Sequence, residues 1–371
     1  TTEIYTLSLH DALPICNSAR ATGTNASATG DNSIALGTDA VASGANARAV
    51  GANANATGND SLSLGSNSGT NGNEAIATGV GANATGEHAS ATGADAIADG
   101  EDATATGAHS RATGADTTAT GTEAEAIGQS ATATGHDATA MGTNATATGH
   151  DATAMGTSAT ATGHAATANA DNAIALGGAT VNNGATSSTA IGDGASVAED
   201  ASDAIATGTD ATASADEAIA SGARATSSGL GAVAIGVDAQ ATETGAVAIG
   251  RNARAIANPA TAVGTDSTAS GSNSSAFGFE ATASGDFSTA LGRQSQATQT
   301  SATAVGENAQ ALGTRSTAIG AGAVATAADQ MAFGTSTSFY TLPGLASNGQ
   351  FAERQRQSGE TRFVTVDGSG N

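Results

Sequence analysis

Apolar and polar residues alternate one by one in short bursts along nearly the whole chain, and most bursts stop at a glycine. The stretch Asn32 to Gly44 reads NSIALGTDAVASG, two near-copies of one phrase, with Ala35, Ala40 and Ala42 at alternate positions. Strict alternation over four or five residues belongs to a strand with one face in and one face out. A helix would have to absorb a glycine every seven residues together with abundant threonine, at a heavy cost in propensity. The pattern therefore predicts short strands parted by turns. Glycine supplies a left-handed conformation there, and Asn or Asp follows it in GTD, GAN and GND.

The spacing sets the architecture. Stepping in sevens from Gly23, every position to Gly184 is glycine except Ala170. The frame then slips by three residues between Gly177 and Gly208, and glycine falls at every fourteenth residue from Gly208 to Gly334. The intervening seventh positions relax to Ala215, Glu243, Ala257, Gln299 and Ala327, so the unit is fourteen residues built from two similar sevens. Two strands per unit over about 22 units predict an all-β parallel solenoid. With coils stacked at roughly 4.8 Å, the rod is on the order of 100 Å long.

A coil of this size leaves room inside for alanine and little else, as at Ala35, Ala40 and Ala42. The residues one and three before the glycine then point outward. On the first strand they are Ile34 with Leu36, Leu62 with Leu64, Ile174 with Leu176, Val233 with Ile235, and Val247 with Ile249. An apolar stripe of that length does not stay in water on a soluble rod. It predicts burial against other copies, most simply in a closed symmetric oligomer.

Composition agrees. Of 371 residues 50 are Gly, 39% are hydrophobic but mostly Ala, 2% are aromatic and none is Trp, too little for one compact core. Low hydrophobicity at a net charge of -23 would suit a disordered chain, and the repeat alone argues against that. With 34 acidic against 11 basic side chains and no Lys/Arg-rich stripe, nucleic acid binding is excluded. The carboxylates read as a solvated surface that favours basic partners. Cys16 is the one cysteine, so no internal disulfide forms. No apolar run approaches the roughly 20 residues of a membrane helix, and no secretory signal opens the chain.

Phrases such as NSIALG (Asn32 to Gly37), DNAIALG (Asp171 to Gly177), STAIG (Ser188 to Gly192) and GAVAIG (Gly245 to Gly250) resemble the repeat of YadA-type heads in trimeric autotransporter adhesins, from about Asn17 to Gly334. The resemblance implies a left-handed parallel β-roll and a homotrimer meeting through the Ile/Leu/Val strand. It also implies display at a Gram-negative outer membrane, with attachment to host extracellular matrix, collagen-like proteins or cells, and roles in virulence, biofilm or autoagglutination. Collagen binding in such heads is associated with motif-bearing coils. That carries over to Asn32, Ser33, Ile34, Ala35, Leu36 and Gly37, with NSSAFG (Asn273 to Gly278) as a second match.

The middle of the chain departs from the family pattern. Arg48 occupies one partner-facing position, and Thr104 with Thr106, Thr118 with Thr120, Thr132 with Thr134, Thr146 with Thr148, and Thr160 with Thr162 occupy others. Larger residues stand instead on the opposite strand at Ile127, Met141 and Met155. Stacked Thr-x-Thr pairs resemble the ice-binding faces of repeat antifreeze proteins, which is the alternative function. A trimer would bury the ladder, whereas an ice-binder must present it.

His136, His150 and His164 recur every fourteen residues, with Asp137 and Asp151 beside two of them. Such a column could hold a metal or respond to acid, but it reads first as solvated turn residues, and no metal or cofactor is expected. Triplets such as Asn144-Ala-Thr146 read as a turn Asn before a strand Thr rather than as glycosylation sites. G-G-x-G-x-D calcium repeats are absent. No nucleophile–base pair, phosphate loop or carboxylate dyad supports an enzyme.

Three segments are expected: a non-native or disordered leader over 1–16, repeats over 17–334, and an exit segment toward a neck over 335–371. The repeat beginning at Asn17 without a lead-in reads as a truncated start, and the chain as an internal fragment.

Overall fold

The computed structural model describes Leu13–Pro14 and residues 16–339. The tail runs FYTLPGLASNGQ and TRFVTVDGSGN fall from 340 onward, outside the described residues apart from Phe339, as does most of the expected leader. Among the described residues there is no helix, and therefore none long and apolar enough to cross a membrane. The described residues wind into two sheets of 23 strands, all neighbours parallel. One sheet is built from strands such as Ile34–Leu36 and Arg48–Val50, the other from shorter strands such as Val41–Ala42 and Asn55–Ala56.

Each strand pairs with its counterpart one coil away, Ile34 with Arg48 and Val41 with Asn55. The strands are shorter than alternation suggests, because tight turns take up both ends of each seven. Among the described residues the ladder starts ahead of Asn17, since Leu13–Pro14 pairs with Ser27–Ala28 one coil on.

Four positions per coil point inward. In the coil of Ile34 they are Ser33, Ala35, Ala40 and Ala42, each fully buried. Alternation identifies three of these; Ser33 is the fourth, at the turn–strand junction. The core is a column of alanines, and the backbone ladder supplies what so little apolar side-chain area cannot. Amides of the turns bond to the previous coil as well: Asn46 N–H donates to Asp31 O at 2.8 Å and Asp39 N–H to Thr24 O at 2.8 Å. Few backbone donors are left for water, which makes stacking nearly continuous around the coil.

The turns divide the work between two residues differently from the sequence expectation. The left-handed helical conformation belongs mainly to the residue two places after the glycine, as at Asn32 (φ 58°), Asp39 (φ 56°) and Asn46 (φ 61°). Asn and Asp tolerate that conformation better than other non-glycine residues. Glycine is required by crowding: a Cβ at Gly44 would lie well inside the carbonyl oxygen of Gly58 in the next coil. Gly37 meets the same obstruction and also has φ +142°, so both reasons apply there.

The frame slip resolves into three turns. Thr167 pairs with Thr180, thirteen residues on, and Ile174 with Thr189, fifteen on. Thr180 pairs with Ser196 and Thr189 with Ile205, each sixteen on. One residue is lost after Leu176, and two are gained in each of the turns preceding Thr189 and Ile205. Ala185 and Ala201 from the lengthened turns are buried, and Val181 and Val197 are the largest fully buried side chains of the roll. The core grows where the coil is longer. Ser188 fastens this region, its hydroxyl donating to Ala201 O at 2.8 Å and accepting from Ala204 N–H at 2.9 Å.

Candidate functional surface

The longer strands present two outward columns, one through their first residues and one through their third. All ten residues expected at a partner interface, Ile34, Leu36, Leu62, Leu64, Ile174, Leu176, Val233, Ile235, Val247 and Ile249, lie on this outer side, half-buried or exposed. Ala35 and Ala175 between them are fully buried while Ile174 is 39% exposed, so the alternation has the expected sense.

The apolar face is longer than the bulky pairs suggest. From Ile235 the third-residue column continues through Ile249, Val263, Phe277, Leu291, Val305, Ile319 and Phe333, each paired with the next. Val263, Phe277, Leu291, Val305 and Ile319 have Thr or Ser as their outward companion, so a search for bulky pairs passes over them. The signal was the single residue before each fourteenth glycine. Every coil from Ile174–Leu176 to Met331–Phe333 carries at least one large apolar residue on this face.

A polar section interrupts the face from Ser90–Thr92 to Thr160–Thr162. Thr104, Thr118, Thr132, Thr146 and Thr160 stand in register in one column, and Thr106, Thr120, Thr134, Thr148 and Thr162 in the other. Beside them on the opposite sheet, Ile127, Met141 and Met155 form an exposed apolar column of their own.

In the phrase Asn32 to Gly37, Ser33 and Ala35 point into the roll, and Asn32 donates to Asn46 Oδ1 at 3.3 Å within the turn ladder. Gly37 forms the next turn, which leaves Ile34 and Leu36 as the outward side chains of that phrase. NSSAFG has the same layout, with Ser274 and Ala276 buried and Phe277 outward.

Ion pairs between coils line the turn edges. Arg224 grips Asp238 with two hydrogen bonds of 2.7 Å, and Arg315 grips Asp329 at 2.6 and 2.7 Å. The guanidinium hydrogen bonds hold the carboxyls of Asp238 and Asp329 below the usual carboxylate range and push the arginines higher still.

The sequence model of the YadA head domain repeat matches residues 17–68, 71–96, 98–124, 126–180, 200–225, 227–253 and 255–323, well over half of the chain. The chain belongs to the YadA head family. It is a YadA-like adhesin head. The longest gap between matches, 181–199, falls on the widened coils around Val181 and Val197, where the fourteen-residue unit is broken. No curated protein matches the chain. Among solved structures, the head is similar to the crystal structure of the collagen-binding domain of Yersinia adhesin YadA, at 20% identity over 43% of this chain and 69% of that one, with a TM-score of 0.30.

Proposed function

We propose that this head works as a homotrimer displayed on a Gram-negative cell surface. In that assembly the longer-strand sheets of three chains meet through Ile34, Leu36, Leu62, Leu64, Ile174, Leu176, Val233, Ile235, Val247 and Ile249, and the outer surface attaches to collagen-like matrix proteins or to cells. The observation that carries this is the apolar face running unbroken from Ile174–Leu176 to Met331–Phe333 in a chain of the YadA head family. A column of exposed Ile, Val, Leu and Phe on a net-acidic rod is stable in water only when covered, and three-fold closure covers it without leaving an open end.

Burial of that face leaves the shorter-strand sheet and the turn edges to touch a ligand. A rod on the order of 100 Å long suits an extended, repetitive ligand, because many weak contacts add along its length. The phrase Asn32 to Gly37 belongs to this reading as a mark of the binding coils. The same rod at the cell surface would serve biofilm formation and autoagglutination.

A second reading rests on the threonine ladder. Its hydroxyls and methyls repeat at roughly 4.8 Å along a flat parallel sheet, a geometry suited to ordering water on ice. Sedimentation of the full chain, thermal hysteresis of its solutions and binding to immobilised triple-helical collagen separate the two. The adhesin reading expects a mass three times the 34.9 kDa of the chain, saturable collagen binding and no hysteresis. A monomer that shows hysteresis and ignores collagen and cells overturns it.

A further inference from the structure

One turn edge, away from the apolar face, carries a column of three histidines. His136, His150 and His164 occupy the same turn position in three successive coils. Their rings stack with centroids 4.9 and 5.2 Å apart, both pairs within 6° of parallel. His136 Nδ1 lies 2.8 Å from Asp137 Oδ2, and His150 Nδ1 lies 2.6 Å from Asp151 Oδ2. The fold does not ask for histidine there: the corresponding residue is Thr24, Thr38, Ala52, Ser66, Val80 or Thr122 in other coils. The coil before the column contributes Glu123 to this turn and the coil after it Gly178, so the charged neighbours along the edge are carboxylates.

We propose that His150, Asp151 and His164 form a binding site for a divalent transition-metal ion such as Zn²⁺. One donor atom from each lies within 4.8 Å of the other two. Two imidazoles and a carboxylate are the donor types that such ions prefer, with water completing the shell. Tetrahedral zinc places its donors about 3.4 Å apart. His150 and Asp151 are 52% and 47% exposed, so side-chain rotation closes the remaining distance while the backbone ladder stays still. One coil away, His136 stacks on the His150 ring, and Asp137, paired with His136, adds negative charge. The site is independent of the trimeric adhesin reading, since it is built within one chain.

The test uses the full chain, dialysed against a chelator and titrated calorimetrically with zinc chloride at pH 7.5. The parent is expected to take up one ion saturably. The double variant His150→Thr/His164→Thr is expected to lose affinity by at least about tenfold. Threonine already occupies this turn at Thr24, Thr38 and Thr122, so the variant keeps the fold, and an unchanged circular dichroism melt checks that. Asp151→Asn should weaken binding, because it removes the carboxylate donor. His88→Ala/His109→Ala should leave the titration as it was. An absence of saturable heat, undiminished binding in the threonine variant, or an equal loss in the His88/His109 variant would overturn the site and assign any uptake to the acidic surface at large.

Discussion

Alanine fills the inward positions because the two sheets of a fourteen-residue coil stand too close for anything much larger. Val181 and Val197, the largest fully buried side chains, lie where the coil has been lengthened; elsewhere the inward positions hold alanine, small serines such as Ser33 and Ser63, and at most Thr70 and Thr117. The turn edges work by hydrogen bonding between coils instead of burial. Because Arg224 donates to it, the Asp238 carboxyl titrates below its ordinary value. Its pairing therefore stabilises the roll at pH above the unfolded carboxylate value of about 3.9, and that contribution is lost as pH falls through the lowered native value. Asp238→Asn is expected to melt below the parent at pH 7 in low salt. The gap should close in strong acid, and shrink at high salt because the pair is exposed; thermal melts across both series check this.

At the level of the coil, each unit touches only its neighbours, so whole units are interchangeable and half units are not. Removing residues 104–117 joins Ala103 to Thr118 and preserves both register and faces. Its unfolding midpoint should stay within about 4 °C of the parent. Removing residues 104–110 places the short strand Arg111–Ala112 where a longer one belongs and sends every later apolar column to the opposite face. It also puts Glu243 and Gln299 at turn positions where Gly37 and its counterparts have a positive φ that suits glycine. That variant should melt earlier and lose cooperativity, and paired denaturation curves decide it.

For the molecule as a whole, the decisive quantity is the apolar face. In the proposed trimer an aspartate at Phe277 or Leu291 would stand among apolar side chains of three copies, and burying an unpaired charge is costly. Phe277→Asp and Leu291→Asp should weaken assembly by at least about tenfold, read by sedimentation across a concentration series. Met141→Asp, on the shorter-strand sheet, should sediment as the parent does. Equal masses for all four proteins would remove the case for this face as the place where chains meet.

Much of this was legible beforehand because a fourteen-residue period reports backbone geometry directly. Fold class, coil spacing, the inward alanines and the outward sense of Ile174 and Leu176 all follow from glycine spacing and alternation, which are local. Three-dimensional proximity decided the rest. That glycine answers to the carbonyl of the next coil, that Val263 to Phe333 extend the apolar column, and that valines sit in the widened coils all depend on atoms fourteen to sixteen residues apart meeting across the ladder. The stacking of His136, His150 and His164, with Asp137 and Asp151 on two of the rings, belongs here too. A repeat in one dimension says which residues recur; only the pitch of the coil says how closely they stand.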